Sequence, residues 1–403
     1  MTSLYPRRRR SGVVGVLAVS AMVAATVGGP AVAAPAVGDI LNAGSATAVP
    51  GSYLVVLRDN AVGGPAGTRP AAVSQQADTL AHRYGGTVGH RYGHALNGFE
   101  VRLPEPAARR LAADPAVALV EQNHTVRTTA TQVNAPWNLD RIDQRTTPLN
   151  GWYSYTSTGF GVTAYIIDSG IRHTHVEFGG RAGQGYDAVD GALPADDCNG
   201  HGTQVAGIVG GRTYGVAKEV RLVPVRIMDC AGGGTLAGLI AGINWVTADH
   251  QPGEPAAANI SLSGGMSTSL NAAVANSIAD GVTYAIAAGN SNTNACNFSP
   301  QSVSAAIVVG AAQSNDTRAS FSNFGSCVDI LAPGVNILSS SHGSNTTTRI
   351  VSGTSMAAPH VTGAAARVLQ NNPAWTPAQV EAYLVAQATV VNNLRLLYMD
   401  PLT

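Results

Sequence analysis

The sequence predicts an α/β protein with a doubly wound, mostly parallel sheet, preceded by a small α+β domain. From residue 161 onward, short apolar runs of strand length alternate with longer helical runs. Strands separated by helices form parallel sheets that are covered on both faces. The chain has 403 residues, 45% of them hydrophobic, which suffices for a large buried core. The predicted strands are residues 162–167, 220–228, 258–262, 283–288 and 306–310.

A smaller set of elements precedes this sheet. Alternating or apolar runs predict strands at residues 53–57, 96–103 and 117–121, and amphipathic runs predict helices at 73–84 and 106–113. The order is βαββαβ-like, which is typical of a ferredoxin-like α+β domain. Residues 35–50 are rich in Ala, Gly, Pro and Ser and are predicted to be a linker.

The N-terminus has the pattern of a secretory signal peptide. Four arginines at 7–10 precede an apolar run at 13–27, and small residues follow up to Ala33 and Ala34. A membrane anchor is disfavoured because Gly28, Gly29 and Pro30 interrupt the run before it reaches about 20 residues. We therefore predict a signal peptide at 1–33, an extracellular location, and no membrane segment after its removal.

The charge distribution argues against a nucleic-acid-binding protein. The formal net charge is zero. Residues 1–129 carry 12 arginines against 7 acidic residues, whereas residues 130–403 carry 12 basic against 17 acidic residues. Opposite charges favour association of the two parts with each other. We expect no nucleic-acid partner.

All four cysteines lie after residue 129. An even number in a secreted chain predicts two disulfides, and four cysteines allow three pairings between which these counts do not choose. A zinc site built from Cys198 and His201 with His173 and His175 is the alternative. It is disfavoured because the chain lacks the second CxxC motif or the HExxH helix that such sites use.

Three motifs carry residues for nucleophilic catalysis. Asp168 follows an apolar run in 165–170, His201 opens a small-residue helical run in 199–207, and Ser355 lies on a turn before an Ala-rich helical run in 353–360. A serine hydroxyl needs a neighbouring base to take its proton, and a carboxylate orients that base. Asp, His and Ser therefore predict a hydrolase.

These motifs, together with residues 259–265 and 287–290, resemble the subtilisin superfamily of serine proteases, and most of all its proteinase K and aqualysin branch. The resemblance implies a self-processing endopeptidase with Asp168, His201 and Ser355 as catalytic residues. It also implies Asn290 as a donor to the oxyanion. Its other implications are a polypeptide substrate, a monomer, and no cofactor for the reaction itself.

The resemblance also implies a substrate cleft with two backbone edges. It predicts broad specificity, with apolar or aromatic residues favoured before the scissile bond. Two departures from the family pattern, Gln204 and Ser263, bear on that specificity. The implied substrate-binding residues are Gly232, Gly233, Gly234, Ser261, Leu262, Ser263, Gly264, Ala287 and Gly289.

Further features follow from the same resemblance. The disulfides would join Cys198 to Cys230 and Cys296 to Cys327. Asp329 would bind a structural calcium ion with backbone carbonyls near residues 304 and 306, and Asp140 with Asp143 would form a second site.

The domain organisation implied by the resemblance has three parts. Residues 34–129 would be a linker and a prosegment that inhibits the enzyme and assists its folding. The prosegment would be removed by self-cleavage after Thr129, leaving a catalytic domain at 130–403. The competing hypotheses are a non-catalytic binding protein and an esterase on the same scaffold.

Overall fold

The computed structural model describes residues 36–44, 48–63, 68–125 and 129–401. They form two compact units on either side of the His124–Thr125 bond. The predicted signal peptide at 1–33 lies outside the described residues, as do parts of the predicted linker and of the segment before residue 129. No helix among the described residues combines the length and apolar character needed to cross a membrane.

In its described residues, the first unit contains a five-stranded sheet and two α-helices. The central strands are antiparallel, and the short first strand pairs in parallel with the last. The sheet order is β1-β5-β2-β4-β3, and the observed βαββαβ order, with one added strand, agrees with the sequence prediction. The elements are β1 (Ile40–Leu41), β2 (Ala48–Leu57), α1 (Arg69–Tyr84), β3 (Thr87–Tyr92), β4 (Gly98–Arg102), α2 (Glu105–Ala112) and β5 (Val117–His124).

The second unit is built on a nine-stranded sheet with smaller two-stranded sheets beside it. The helices are α3 (Trp137–Ile142), α4 (His201–Gly210), α5 (Leu236–Asp249), α6 (Thr268–Asp280), α7 (Thr354–Asn371) and α8 (Pro377–Gln387). The strands are β6 (Ala130–Val133), β7 (Trp152–Tyr155), β8 (Thr163–Asp168), β9 (Tyr186–Asp187), β10 (Arg221–Arg226), β11 (Ala256–Ile260), β12 (Thr283–Ala287), β13 (Ile307–Ala312), β14 (Ile330–Pro333), β15 (Ile337–Ser340), β16 (Thr348–Val351), β17 (Thr389–Val391) and β18 (Leu394–Leu396).

The large sheet has the order β17-β18-β14-β13-β12-β11-β8-β10-β9, and its pairings are parallel except for the terminal β17–β18 hairpin. Side chains alternate between the faces of a strand. In β8, Ala164 and Ile166 therefore join the core that contains residues of α4 and α7. Tyr165 and Ile167 join the core on the other face, with residues of α5 and α6. The sheet is covered on both faces, as predicted.

The register of the central strands brings their carboxyl ends to one edge. Ile260 of β11 lies opposite Ile167 of β8 and opposite Ile286 of β12. The residues after these positions, beginning with Asp168 and Ala287, therefore lie at the same edge of the sheet. This edge is where ligands bind in open parallel sheets.

Two disulfides are present in the second unit, with the pairing that the resemblance implies. Cys198 joins Cys230 with 4.9 Å between Cα atoms, and Cys296 joins Cys327 with 5.4 Å. The first bridge ties the loop that ends at His201 to the turn that carries Gly232. Two segments predicted to contribute to one site are therefore covalently linked.

Candidate active site

Asp168 and His201 form a directly hydrogen-bonded pair. Asp168 is the last residue of β8 and is fully buried. Both of its carboxylate oxygens accept from Nδ1 of His201, at 2.8 and 2.9 Å, and Oδ1 also accepts from the backbone N–H of Ser169. The His201 side chain is 28% exposed. One edge of the imidazole is thus held by a buried carboxylate while the ring remains accessible.

Asp197 organises the loop that leads to His201, and the sequence analysis missed it. It is buried, and its Oδ1 accepts from the N–H groups of Asn199 and Gly200 and from the hydroxyl of Ser169. Its Oδ2 accepts from the N–H and the hydroxyl of Thr203. A carboxylate at the start of α4 satisfies N–H groups that lack partners within the helix.

The pKa of His201 lies above its ordinary value. Burial of the ring lowers the pKa, but the charge of Asp168, its hydrogen bond and the charge of Asp197 raise it by more. The imidazolium form is therefore stabilised. A base that must become positively charged during a reaction benefits from two carboxylates placed in this way.

Ser355 lies in the first turn of α7, where backbone N–H groups have no partner within the helix. Its hydroxyl donates to the carbonyl oxygen of Ser261 at 3.1 Å, and the Ser261 hydroxyl donates to the Ser355 carbonyl at 2.9 Å. Among the described residues, the side-chain hydrogen bond of Ser355 goes to Ser261 and not to His201. The structure thus brings Ser355 to the end of β11 with its hydroxyl turned toward that strand.

Thr354 orients the amide of Asn290. Oδ1 of Asn290 accepts from the Thr354 N–H at 2.8 Å and from the Thr354 hydroxyl at 2.9 Å. Since a backbone N–H can only donate, this side of the amide must be the oxygen. The Thr354 hydroxyl also accepts from the N–H of Gly289, whose φ of +99° suits glycine. The Nδ2 donors of the exposed Asn290 therefore point away from Thr354.

An apolar groove of about 290 Å³ runs beside these residues. Five of the predicted substrate-binding residues line it, together with leucines and other uncharged residues. Gly233 belongs to the same turn, which is fixed by its N–H donating to Asp229. Ser261, Ala287 and Gly289 lie instead next to Ser355 and Asn290. The groove residues are Ile227, Met228, Gly232, Gly234, Thr235, Leu236, Leu239, Leu262, Ser263, Gly264, Gly265 and Leu270.

His360 lies behind the start of α7 and is fully buried. Its Nδ1 contacts the Met356 carbonyl oxygen and its Nε2 contacts the Asn138 amide nitrogen, both at 2.8 Å. Nδ1 is therefore the protonated nitrogen. Burial lowers the pKa of His360 to about 4. It is a neutral packing residue and does not compete with His201.

Asp329 has limited capacity to bind a cation. Its partly buried carboxylate accepts from the Val308 N–H at 2.8 Å, and burial raises its pKa. The adjacent cavity is also lined by Arg318 and Arg395, whose positive charges oppose a divalent ion. The described residues contain no cluster of three or more His, Cys, Asp or Glu side chains suited to a metal.

Asp143 fits a cation better than Asp329 does. Oδ2 of Asp143 accepts from the Ser154 N–H, whereas its Oδ1 is buried without a partner among the described residues, as is Oε1 of Gln144. Burial raises the pKa of Asp143 to about 6. Asp140 uses both carboxylate oxygens to accept from the N–H groups of Asn150 and Gly151.

The chain matches two family models. Residues 159–399 match the Subtilase family, and residues 52–129 match the peptidase inhibitor I9 family. The chain is 50% identical over 359 residues to an extracellular serine proteinase of Thermus sp. (strain Rt41A), covering 86% of this chain and 87% of that protein. It is 47% identical over 321 residues to alkaline serine exoprotease A of Vibrio alginolyticus, covering 78% of this chain and 59% of that protein.

A solved structure is also similar. The crystal structure of a cold adapted subtilisin-like serine proteinase matches with a TM-score of 0.64 and 49% identity, covering 66% of this chain and 98% of that one. The predicted relationship is therefore confirmed. The chain belongs to the Subtilase family of serine proteinases and carries an N-terminal I9 inhibitor segment.

Proposed function

We propose that this chain is a secreted, self-processing serine endopeptidase that acts through an acyl-enzyme. Ser355 is the nucleophile, His201 the general base, and Asp168 the group that orients the imidazole. The observation that carries the proposal is the hydrogen bonding of both Asp168 oxygens to Nδ1 of His201. This contact keeps the proton on Nδ1, so that Nε2 presents a lone pair for the proton of Ser355.

The reaction begins with a rotation of the Ser355 hydroxyl from the Ser261 carbonyl toward Nε2 of His201. Oγ bonds to the carbonyl carbon of the substrate while its proton passes to Nε2. The imidazolium then gives that proton to the departing amine as the C–N bond breaks. Water attacks the resulting ester in the same way, with His201 again taking and returning one proton, and Ser355 is restored.

The oxyanion that forms on the substrate needs two donors. Nδ2 of Asn290 supplies one, because Thr354 holds the opposite side of the amide. The backbone N–H of Ser355, in the first turn of α7, supplies the other. Both donors are placed before the charge develops, which is the condition under which such groups lower the barrier.

Substrate specificity follows from two surfaces. An extended peptide adds a strand between residues 232–234 and 261–264 through backbone hydrogen bonds. The residue before the scissile bond enters between residues 261–264 and 287–289, which follow β11 and end β12; we call this site the primary pocket. Its walls are small and uncharged, which favours apolar or aromatic side chains over Lys or Arg.

The N-terminal part acts on the same site in cis. Residues 34–129 form the linker and the inhibitory prosegment, and self-cleavage after Thr129 releases the catalytic domain at 130–403. The I9 match ends at residue 129, which supports this bond. Secretion through a signal peptide at 1–33 is supported by the extracellular Thermus relative.

Calcium is proposed as a structural ion without a part in the reaction. Asp143 would hold it through its unpartnered Oδ1, with Asp329 as a weaker candidate. Hard oxygen ligands suit this ion, and its charge would relieve the cost of burying the Asp143 carboxylate. Thermal unfolding of Ser355→Ala, with and without a chelator, tests the ion. The calcium-dependent shift in melting temperature should disappear in the double variant Ser355→Ala with Asp143→Asn.

Intact mass of the secreted protein tests the catalytic assignment. Wild type and Ser314→Ala, a change at an exposed serine outside the site, should lose residues up to about 129, whereas Ser355→Ala should retain them. Reduction should add four hydrogens, because two disulfides are present. Normal maturation of Ser355→Ala would exclude self-processing by Ser355. Hydrolysis of esters but not peptides by wild type would favour the esterase hypothesis.

A further inference from the structure

A proline inside α7 deprives the carbonyl oxygen of Ser355 of its regular helix donor. In an α-helix each carbonyl oxygen accepts from the backbone N–H four residues further on. For Ser355 that residue is Pro359, which lies inside the helix and has no N–H. The Ser261 hydroxyl donates to the Ser355 carbonyl at 2.9 Å instead. A side chain next to the end of β11 therefore replaces a main-chain donor at the start of α7.

Asn259 of β11 controls the direction of the Ser261 hydroxyl. Its Nδ2 lies 2.8 Å from Oγ of Ser261, and the residue is fully buried. Oγ of Ser261 carries a single proton, which goes to the Ser355 carbonyl because a carbonyl oxygen can only accept. Nδ2 of Asn259 must therefore donate to Oγ of Ser261. The hydrogen bonds form a chain with one direction, in which Asn259 donates to Ser261 and Ser261 donates to Ser355.

Thr362 fixes the other side of the Asn259 amide. Thr362 is fully buried, and its hydroxyl donates to Oδ1 of Asn259 at 3.1 Å. The same hydroxyl lies 3.3 Å from the Ala358 carbonyl oxygen, so its one proton is shared between two acceptors. Thr362 lies about two turns after Ser355 in α7. Asn259 is thus connected to α7 at two points, directly at Thr362 and through Ser261 at Ser355.

The place of Asn259 in the sheet accounts for these contacts. β11 is otherwise apolar. Side chains alternate between the faces of a strand, and Ala257 joins the core that contains residues of α7. Asn259 therefore faces α7 as well. An aliphatic side chain would be buried here without cost, whereas an amide must find hydrogen-bond partners. Both ends of the Asn259 amide have such partners, and both partners bear on α7.

We propose that Asn259 is a positioning residue for the reaction and that it acts on Ser355 through Ser261. Its Nδ2 keeps the Ser261 hydroxyl directed at the carbonyl for which Pro359 provides no donor. The first turn of α7 is thereby fixed, and with it the hydroxyl and the N–H of Ser355. The inference rests on the proposed function, in which Ser355 supplies both the nucleophile and one oxyanion donor.

Thr362→Val tests this chain of hydrogen bonds without a change in β11. Valine has nearly the same shape and lacks the hydroxyl that orients the Asn259 amide. We expect kcat on a peptide p-nitroanilide, counted per site titrated with a sulfonyl fluoride, to fall about 2- to 10-fold with KM nearly unchanged. Thr362→Ser keeps the hydroxyl and should restore kcat. Thr247→Val is the matched control, since the Thr247 hydroxyl donates to the Ile243 carbonyl within α5 at 2.9 Å, and it should leave kcat unchanged.

Ser261→Ala removes the hydroxyl through which Asn259 acts and so separates positioning from packing. Thr362→Val should lower kcat in the wild-type background and have little further effect in the Ser261→Ala background. A loss of packing at Thr362 would lower kcat by the same factor in both backgrounds, and that result would overturn the inference. Full kcat in Thr362→Val, or no recovery in Thr362→Ser, would overturn it as well.

Asn259→Leu removes the amide itself. It should lower kcat at least as much as Thr362→Val does, and Thr362→Val should add little to it. Wild-type kcat in folded Asn259→Leu would contradict a positioning role. If Asn259→Leu does not fold, the comparison of Thr362→Val in the two Ser261 backgrounds still decides. Failure of the proposed function would look different, because wild type would then neither cleave the peptide nor react with the sulfonyl fluoride.

Discussion

Replacement of Thr354 by Val probes how the proposed oxyanion donor, Asn290, is positioned. Thr354 is fully buried, and Val has nearly the same shape. The change removes the hydroxyl that donates to Oδ1 of Asn290 at 2.9 Å and accepts from the Gly289 N–H at 3.1 Å. The Thr354 N–H still donates to Oδ1 at 2.8 Å. The amide of Asn290 therefore keeps one of its two orienting hydrogen bonds.

The magnitude follows from these contacts. A hydrogen bond of this kind contributes about 0.5–1.5 kcal/mol. We therefore expect kcat to fall about 2- to 10-fold in Thr354→Val, compared with about 10²- to 10³-fold in Asn290→Ala, where the donor itself is lost. Leaving the Gly289 N–H without its partner should also lower the free energy of unfolding by about 1–3 kcal/mol.

A double-mutant cycle checks this reasoning. We would measure kcat and KM on one peptide substrate for wild type, Thr354→Val, Asn290→Ala and the double variant. Because Thr354 acts through Asn290, the valine change should have little effect on kcat once Asn290 is absent. Thr354→Ser, which keeps the hydroxyl, is the matched control and should retain kcat. An equal fold loss in both backgrounds would refute the positioning role.

Three further predictions concern protonation and oxidation. Asp197→Asn removes a charge that raises the pKa of His201, so the acid limb of the kcat/KM profile should move to lower pH; an unmoved limb would contradict this. Burial lowers the pKa of Lys218 to about 7 from 10.5. The contribution of Lys218 to the free energy of unfolding is therefore complete above about pH 10.5 and is lost as the pH falls to about 7. The difference in free energy of unfolding between Ser355→Ala and the double variant Ser355→Ala with Lys218→Met should show the same dependence on pH. Met356, buried next to the proposed nucleophile Ser355, should make wild type partly sensitive to peroxide while Met356→Ala retains activity, and equal sensitivity would exclude this explanation.

Much of the fold was predictable because the strands of a parallel sheet are buried on both faces and so form continuous apolar runs. The run predicted at 162–167, for example, is β8 shifted by one residue. The strands at the other side of the sheet were missed. β14 is only four residues long. β17 and β18 have three residues each and form a hairpin around Asn392 and Asn393, both with positive φ. Such short segments have too little periodicity to predict a strand.

The candidate catalytic residues were predictable, whereas their supporting contacts were not. Asp168, His201 and Ser355 each lie in a motif whose local sequence indicates a strand end or a helix start. Thr354 and Ser261 contact partners 64 and 94 residues away along the chain. A polar residue with one distant partner leaves no pattern in its own neighbourhood, so only the folded arrangement reveals it.

The contact between Ser355 and Ser261 explains how the proposed nucleophile, Ser355, can be held in place and still react. The two residues exchange hydrogen bonds, each hydroxyl donating to the other carbonyl oxygen. When the Ser355 hydroxyl turns to His201, the Ser261 hydroxyl still holds the Ser355 carbonyl, so the backbone need not move. Only one neutral hydrogen bond is exchanged, at a net cost of no more than about 1.5 kcal/mol. Because the helix start stays fixed, the Ser355 N–H keeps its place as the proposed oxyanion donor during the rotation, so the proposed attack and charge stabilisation do not compete.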